Sequence, residues 1–150
     1  MAPRSGRLSL AGNGIAPAAM AQVIAAATRA GLETLDLGRV PAAGFLGASD
    51  NHLDPPFAIQ AARSLSELPH RLTHLDLRHT GLTSRAALHL LDGARRAATP
   101  TRYVLGNGIA SRVKRDLREL AAAVPALRPH PRIAAAHSVH RTARTSEQIT

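Results

Sequence analysis

The segment from Leu72 to Leu82, which reads LTHLDLRHTGL, constrains the fold of this chain more than any other. Leucines alternate with polar residues through Leu75 and Leu77, a pattern that favours a short β-strand with one buried face. Thr80 follows where the chain must turn out of that strand, and its side chain can satisfy backbone groups left unpaired there. The segment therefore predicts a strand and a polar turn.

Two similar segments lie near the two ends of the chain. Residues 7–15 read RLSLAGNGI and residues 101–109 read TRYVLGNGI, so both contain the run GNGI. Alignment through that run makes Asn13 and Asn107 the equivalents of Thr80. Three related segments in one chain indicate an internal repeat.

A further copy begins at Leu32 with LETLDLG and contains an insertion. Spacing alone would place Val40 at the polar turn, where an apolar side chain is a poor choice. Asn51 fits the chemistry better and lies 29 residues before Thr80. We therefore predict four units of roughly 27 to 29 residues, with an inserted loop at about 39–50 in the second.

These units resemble ribonuclease-inhibitor-type leucine-rich repeats over about Leu8 to Leu120, although Ser5 and Arg102 stand where leucines are expected. The resemblance implies an α/β leucine-rich-repeat solenoid, with short parallel strands on the concave side and α-helices on the convex side. Its domain would span residues 8–128, after a short lead at 1–7. The alternative is an irregular α/β domain in which the leucine triplets coincide by chance.

The helices of the four units have recognisable ends. Pro17 and Gly31 fit the first turn and the end of a helix over Ala16 to Ala30. In the second unit Asp54 is the predicted N-cap, and in the third it is Thr83 or Ser84. Ser111 is the predicted N-cap of the last helix, with Val113, Leu117 and Leu120 facing inward.

The amino-acid composition indicates the cellular compartment and the residue types that form the hydrophobic core. The chain has no cysteine, which excludes disulfides and thiolate metal sites and fits a reducing, cytoplasmic location. Aromatic residues make up only 2%, so leucine, alanine, isoleucine and valine must form the core. An export signal is the alternative suggested by the absence of acids before Glu33, but Asn13 and Gly14 interrupt it. No apolar run reaches the ~18 residues of a membrane span.

The strand residues between the leucines define the predicted binding surface. Alignment of the units stacks them in three columns: Ser9, Asp36, Asp76 and Tyr103; Arg7, Thr34, His74 and Thr101; Ala11, Gly38, Arg78 and Leu105. Adjacent carboxylates at Asp36 and Asp76 could indicate acid–base or metal chemistry, but an open sheet offers no water exclusion, and pairing with Arg78 or His74 is the simpler interpretation. We predict neither a catalytic site, nor a metal, nor a cofactor.

The predicted function is a non-catalytic protein-binding module that uses the concave face of the array. Its contact candidates are Asp36, His74, Asp76, Arg78 and Tyr103, with Phe45 of the inserted loop at the rim. The partner is an unknown protein. Because the first strand lacks an N-terminal cap, the edge near Leu8 is also predicted to be covered by a partner or a second copy.

The distribution of basic residues suggests an alternative function. The formal net charge is +9, and residues 101–150 hold nine basic and three acidic side chains, which supplies six of those nine charges. Arg112, Arg115 and Arg118 on one face of the last helix are candidate anion-binding residues, together with a basic tail at 129–150 that is predicted to be disordered. Nucleic acid or an anionic surface is the alternative partner, although the chain has few aromatics for base stacking.

Overall fold

The computed structural model describes residues 6–38, 50–67 and 69–125. Within them, strands and helices alternate along the chain in the order β1 (Arg7–Ser9), α1 (Pro17–Arg29), β2 (Thr34–Asp36), α2 (Pro55–Glu67), β3 (His74–Asp76), α3 (Ser84–Arg96), β4 (Arg102–Val104) and α4 (Ser111–Leu120). Residues 1–5 of the predicted lead at 1–7, residues 39–49 of the predicted loop at about 39–50, including Phe45, and the predicted tail at 129–150 lie outside the described residues. Arg7, which was assigned to the lead, belongs to β1.

The four strands form one parallel sheet in the order β1-β2-β3-β4. Leu35 lies beside Leu75 and Asp36 beside Asp76, which is the predicted alignment of β2 and β3. Helices α1, α2 and α3 connect successive strands, so neighbours in sequence are neighbours in the sheet. The predicted α/β class and the parallel arrangement of the strands are confirmed.

The predicted alignment of the fourth strand is wrong by one residue. Tyr103 lies beside Leu75, in the column that leucines occupy in β2 and β3. Val104 therefore lies beside Asp76, where Tyr103 was expected. The neighbour of His74 is Arg102 rather than Thr101.

A shorter turn explains this shift. Five residue steps separate Leu77 from Leu82, whereas four separate Leu105 from Ile109 in the last unit. Leu82 and Ile109 are both buried at the start of their helical segments. Because the turn of the last unit is one residue shorter, alignment through the shared GNGI run shifts the residues of β4 by one position.

The core lies between the sheet and the helices. Leu35, Leu37, Leu75 and Leu77 are at most 1% exposed and join helix residues such as Ile24 in one apolar cluster. Residues that alternate with these leucines remain partly exposed on the other face of the sheet. Because side chains of a strand point alternately to its two faces, the helices cover the leucine face and leave the polar one open.

Asn51 occupies the turn position predicted for the second unit and is completely buried. Its Oδ1 accepts hydrogen bonds from the Asn13 backbone N–H at 3.2 Å and the Ile15 N–H at 2.8 Å. Its Nδ2 donates to the Leu10 carbonyl at 2.9 Å and the Leu37 carbonyl at 2.8 Å. One amide side chain thus satisfies backbone groups of two successive units.

The helix ends agree with the sequence in the first and third units and differ in the last. In the second unit α2 begins at Pro55, directly after Asp54. Gly31 follows α1 with φ of 73°, a backbone conformation that favours glycine. Thr83 is the N-cap of α3, because its Oγ1 accepts from the Ala86 N–H at 3.1 Å. The predicted cap Ser111 is instead the first residue of α4, and Ala110 precedes it without a side-chain cap.

The inward face of α4 is also narrower than predicted. Val113 and Leu117 are buried, but Leu120 is 41% exposed and does not join the core as predicted. No helix within the described ranges is long and apolar enough to cross a membrane.

Candidate functional site

The face of the sheet opposite the helices brings most of the predicted contact residues together. We call it the polar strand face; it consists of two columns, Arg7–Thr34–His74–Arg102 and Ser9–Asp36–Asp76–Val104. Neighbouring strands of a sheet lie roughly 4.8 Å apart, so residues within a column can contact one partner together.

Asp36 is the half-buried carboxylate at the centre of this face. Its Oδ1 accepts from the Gly38 backbone N–H at 3.0 Å, and the Ser9 hydroxyl donates to Oδ2 at the long distance of 3.5 Å. Burial raises the pKa of Asp36, and the neighbouring Asp76 carboxylate raises it further, against the Gly38 hydrogen bond and the charge of Arg78. The charged form of Asp36 is therefore incompletely compensated.

Asp76 differs from Asp36 because it has a cation of its own. Arg78 Nη2 lies 2.7 Å from Asp76 Oδ2, while Arg78 Nε lies 3.1 Å from both carboxylate oxygens. The hydrogen bond to Asp76 also raises the pKa of the Arg78 guanidinium. This bidentate pair leaves Asp36 as the acid on the face without an ion pair in the described residues.

Gly38 allows the turns after β2 and β3 to lie close together. A Cβ atom at this position would lie 2.8 Å from the Arg78 carbonyl oxygen and 2.8 Å from Asp76 Oδ1, which is too close for any side chain. The Gly38 carbonyl also accepts from the Gly12 N–H at 3.0 Å. The repeat alignment places Gly38 in a column with Arg78, but the lack of a side chain at Gly38 is the only sign of this close approach in the sequence.

His74 is held at one end of the polar strand face. Its Nε2 lies 2.9 Å from the Pro125 carbonyl oxygen, and its Nδ1 lies 3.0 Å from the Thr73 hydroxyl. Next to it, Arg102 donates from Nη1 to the Val124 carbonyl at 3.2 Å. The segment after α4 therefore returns to the strand face, a contact between distant residues that spacing could not predict.

Tyr103 is not part of the polar strand face. It is partly buried and packs against the core, and it occupies the position in β4 that leucines occupy in β2 and β3. Burial raises the pKa of its hydroxyl well above the ordinary value. Its place in the predicted contact column is taken by Val104, which is 38% exposed.

The candidate anion-binding arginines lie on the outer side of α4. Arg112, Arg115 and Arg118 are all exposed, as predicted. Arg115 lies 3.6 Å from Asp116 and 3.9 Å from Glu119, so part of its charge is compensated. Arg118 lines an open groove between α4 and β4.

No group of three or more histidine, aspartate or glutamate side chains in the described part of the chain is placed to hold a metal ion. Comparison of the chain with protein-family models, with curated proteins and with solved structures found no match.

Proposed function

We propose that the chain is a small leucine-rich-repeat solenoid that acts as a protein-binding module through its polar strand face. The repeat interpretation is supported by the buried Asn51, which links the turns of two successive units through four hydrogen bonds. A curved array of this kind presents its strands on the concave side and its helices on the convex side. Binding of a protein without catalysis is the activity that such an open face supports.

The observation that carries the binding proposal is the difference between Asp36 and Asp76. Asp76 is neutralised by Arg78, whereas the half-buried Asp36 has only hydrogen bonds from neutral groups. A lysine or arginine of a partner would supply the missing countercharge in a partly desolvated place, where a charged hydrogen bond is strong. We therefore expect a partner that presents a basic side chain to Asp36, with His74 and Arg78 at the border of the contact.

Capture of the partner from a native lysate tests this proposal. The bait is the whole chain, compared at low and moderate salt, with and without nuclease, and beside a chain shortened by residues 129–150. Discrete proteins that survive salt, nuclease and shortening, but are lost with Asp76→Arg, are the expected result. Capture that depends on residues 129–150 would contradict the proposal.

Binding of nucleic acid or an anionic surface is the second candidate function. It is favoured by Arg112 and Arg118 on α4, which are exposed and pair with no carboxylate in the described ranges. Phosphate binding by such residues weakens steeply with salt, because counterions are released when the complex forms. Nucleic acid that is recovered at low salt and disappears at moderate salt would support this alternative.

Self-association through the first strand stays a prediction. All three residues of β1 are exposed, and Leu8 keeps 45% of its surface accessible. Uncovered strand edges pair readily with other chains. Light scattering over a range of protein concentrations tests this, and a constant monomer mass at high concentration would count against it.

A further inference from the structure

A second surface lies at the edge of the sheet away from β1, where β4 has no further strand beside it in the described residues. There an open groove of about 270 Å³ runs between β4 and α4, which we call the edge groove. Its apolar floor and its cations belong to these two elements and are Tyr103, Val104, Leu105, Leu117, Arg102, Lys114 and Arg118. The edge groove shares Arg102 and Val104 with the polar strand face but includes none of its acidic residues.

The backbone of β4 offers free hydrogen-bonding groups to this groove. Arg102 donates its N–H to Thr73, and the Val104 carbonyl accepts from Leu77, so both residues turn their backbone towards β3. In a parallel sheet the intervening residue turns its backbone to the other side. The N–H and C=O of Tyr103 therefore point to the open edge, and no hydrogen bond in the described ranges uses them.

The charges of the edge groove are also uncompensated. The acids of α4 are already engaged, since Asp116 lies near Arg95 and Arg115, and Glu119 lies near Arg115. Arg102, Lys114 and Arg118 pair with no carboxylate in the described part of the chain. Three cations beside an apolar floor and a free strand edge together match one kind of ligand.

We propose that the edge groove binds an extended, acidic segment of a partner protein, which adds to the sheet as a fifth strand beside β4. Backbone pairing with Tyr103 would provide affinity, as in other cases of strand addition. Apolar residues of the segment would cover Val104 and Leu105, and its acids would meet the three cations. The proposal does not depend on binding at the polar strand face.

Charge argues against occupants from this chain. Residues 126–150 contain four arginines and a single acid, Glu147, so they would bring like charge to the groove. The β1 end of a second copy is no better, because no acid precedes Glu33. A nucleic acid would satisfy the cations but would leave the apolar floor and the backbone of Tyr103 unused.

Fluorescence anisotropy of the full chain with short labelled probes tests the proposal. The main probe is a peptide of alternating glutamate and valine, which we expect to bind and to be weakened by salt. A peptide with lysine in place of glutamate should not bind. A glutamate–valine peptide methylated on alternate backbone nitrogens keeps its charge but loses strand pairing, and should bind at least about tenfold more weakly.

Matched charge reversals locate the binding. Lys114→Glu with Arg118→Glu should weaken the main peptide by at least about tenfold. Arg85→Glu with Arg112→Glu changes the same net charge at exposed positions outside the groove and should have little effect. Circular dichroism confirms that each variant is folded.

Four outcomes would overturn the proposal. They are no binding of the main peptide, equal binding of the methylated peptide, equal loss in both pairs of variants, and binding of a single-stranded oligonucleotide in place of the peptide. A result at the edge groove leaves the proposal for Asp36 unchanged, because neither pair of variants alters the polar strand face.

Discussion

Asn51 and Gly38 show how much of this structure depends on single residues. Asn51 could be predicted from the sequence, because a polar residue was required at a fixed distance from Thr80. Gly38 could not, because a close approach between two turns depends on strands that are far apart in sequence. The same limit applies to His74, whose contact with Pro125 has no local signature.

Replacement of Asn51 by alanine should be strongly destabilising. It removes four hydrogen bonds and leaves buried backbone groups without partners, which should lower the free energy of unfolding by about 3 kcal/mol or more. Urea denaturation measures the loss. Asn13→Ala is the matched control, because the Asn13 side chain is exposed and donates only to the Ala11 carbonyl. Similar losses in both variants would contradict the role given to Asn51.

Gly38→Ala should lower the free energy of unfolding by about 1–3 kcal/mol, because its methyl group would overlap the Arg78 backbone and Asp76. Gly106→Ala provides the comparison, since a Cβ atom there would meet nothing closer than 3.6 Å. Thermal unfolding of the two variants distinguishes them. If Gly38→Ala were as stable as Gly106→Ala, the two turns could not be packed as described.

His70 should make stability depend on pH. Its Nδ1 accepts from the Leu72 N–H at 3.0 Å and its Nε2 lies 3.0 Å from the Leu65 carbonyl, so the neutral ring fits this place. Burial lowers the pKa of His70 below its ordinary value of 6.5, against the Leu65 hydrogen bond. The unfolded chain therefore binds the proton first, and stability contributed by His70 is lost as pH falls through about 6.5.

The pH effect is measured by urea denaturation at pH 7.5 and 5.5, conditions that bracket the ordinary histidine pKa of about 6.5. The native chain should lose more stability on acidification than His70→Gln, since the variant lacks the titrating ring. The other histidines are identical in the two proteins, so their effects cancel in the comparison. An equal loss in the two proteins would remove His70 as the cause.

At the scale of elements, the sequence predicted all four strands and helices, because leucine alternation and helix-end residues are local signals. It misplaced the residues of β4, since the register of a strand depends on the length of the turn that follows the leucines. The Asp36–Asp76 column was predictable because β2 and β3 share the same LDL spacing. Tyr103 was misassigned because the last unit is one residue shorter there.

The N-termini of α3 and α4 provide a matched test of helix capping. Thr83→Ala should lower the free energy of unfolding by about 1 kcal/mol, because it removes the hydrogen bond to the Ala86 N–H. Ser111→Ala should change it by less than about 0.5 kcal/mol, because Ser111 lies inside α4 and caps nothing. Differential scanning calorimetry compares them. A reversed order would contradict the observed N-caps.

At the scale of the whole molecule, charge is divided between two surfaces. The chain is strongly basic, yet its sheet presents two adjacent carboxylates on the polar strand face. The basic side chains of the last unit instead lie on α4 and along the edge groove. A partner with a basic contact residue and a partner segment rich in acids would therefore bind at different places.

The central claim is that Asp36 and its neighbours bind a protein partner. Isothermal titration of the captured partner against Asp36→Arg and Asp92→Arg tests it, because Asp92 is an exposed acid on α3 that pairs with Arg96, away from the strand face. We predict at least about tenfold weaker binding for Asp36→Arg, partial loss for Asp36→Asn, and native affinity for Asp92→Arg. Native affinity in both Asp36 variants would show that the partner binds elsewhere and would contradict the account.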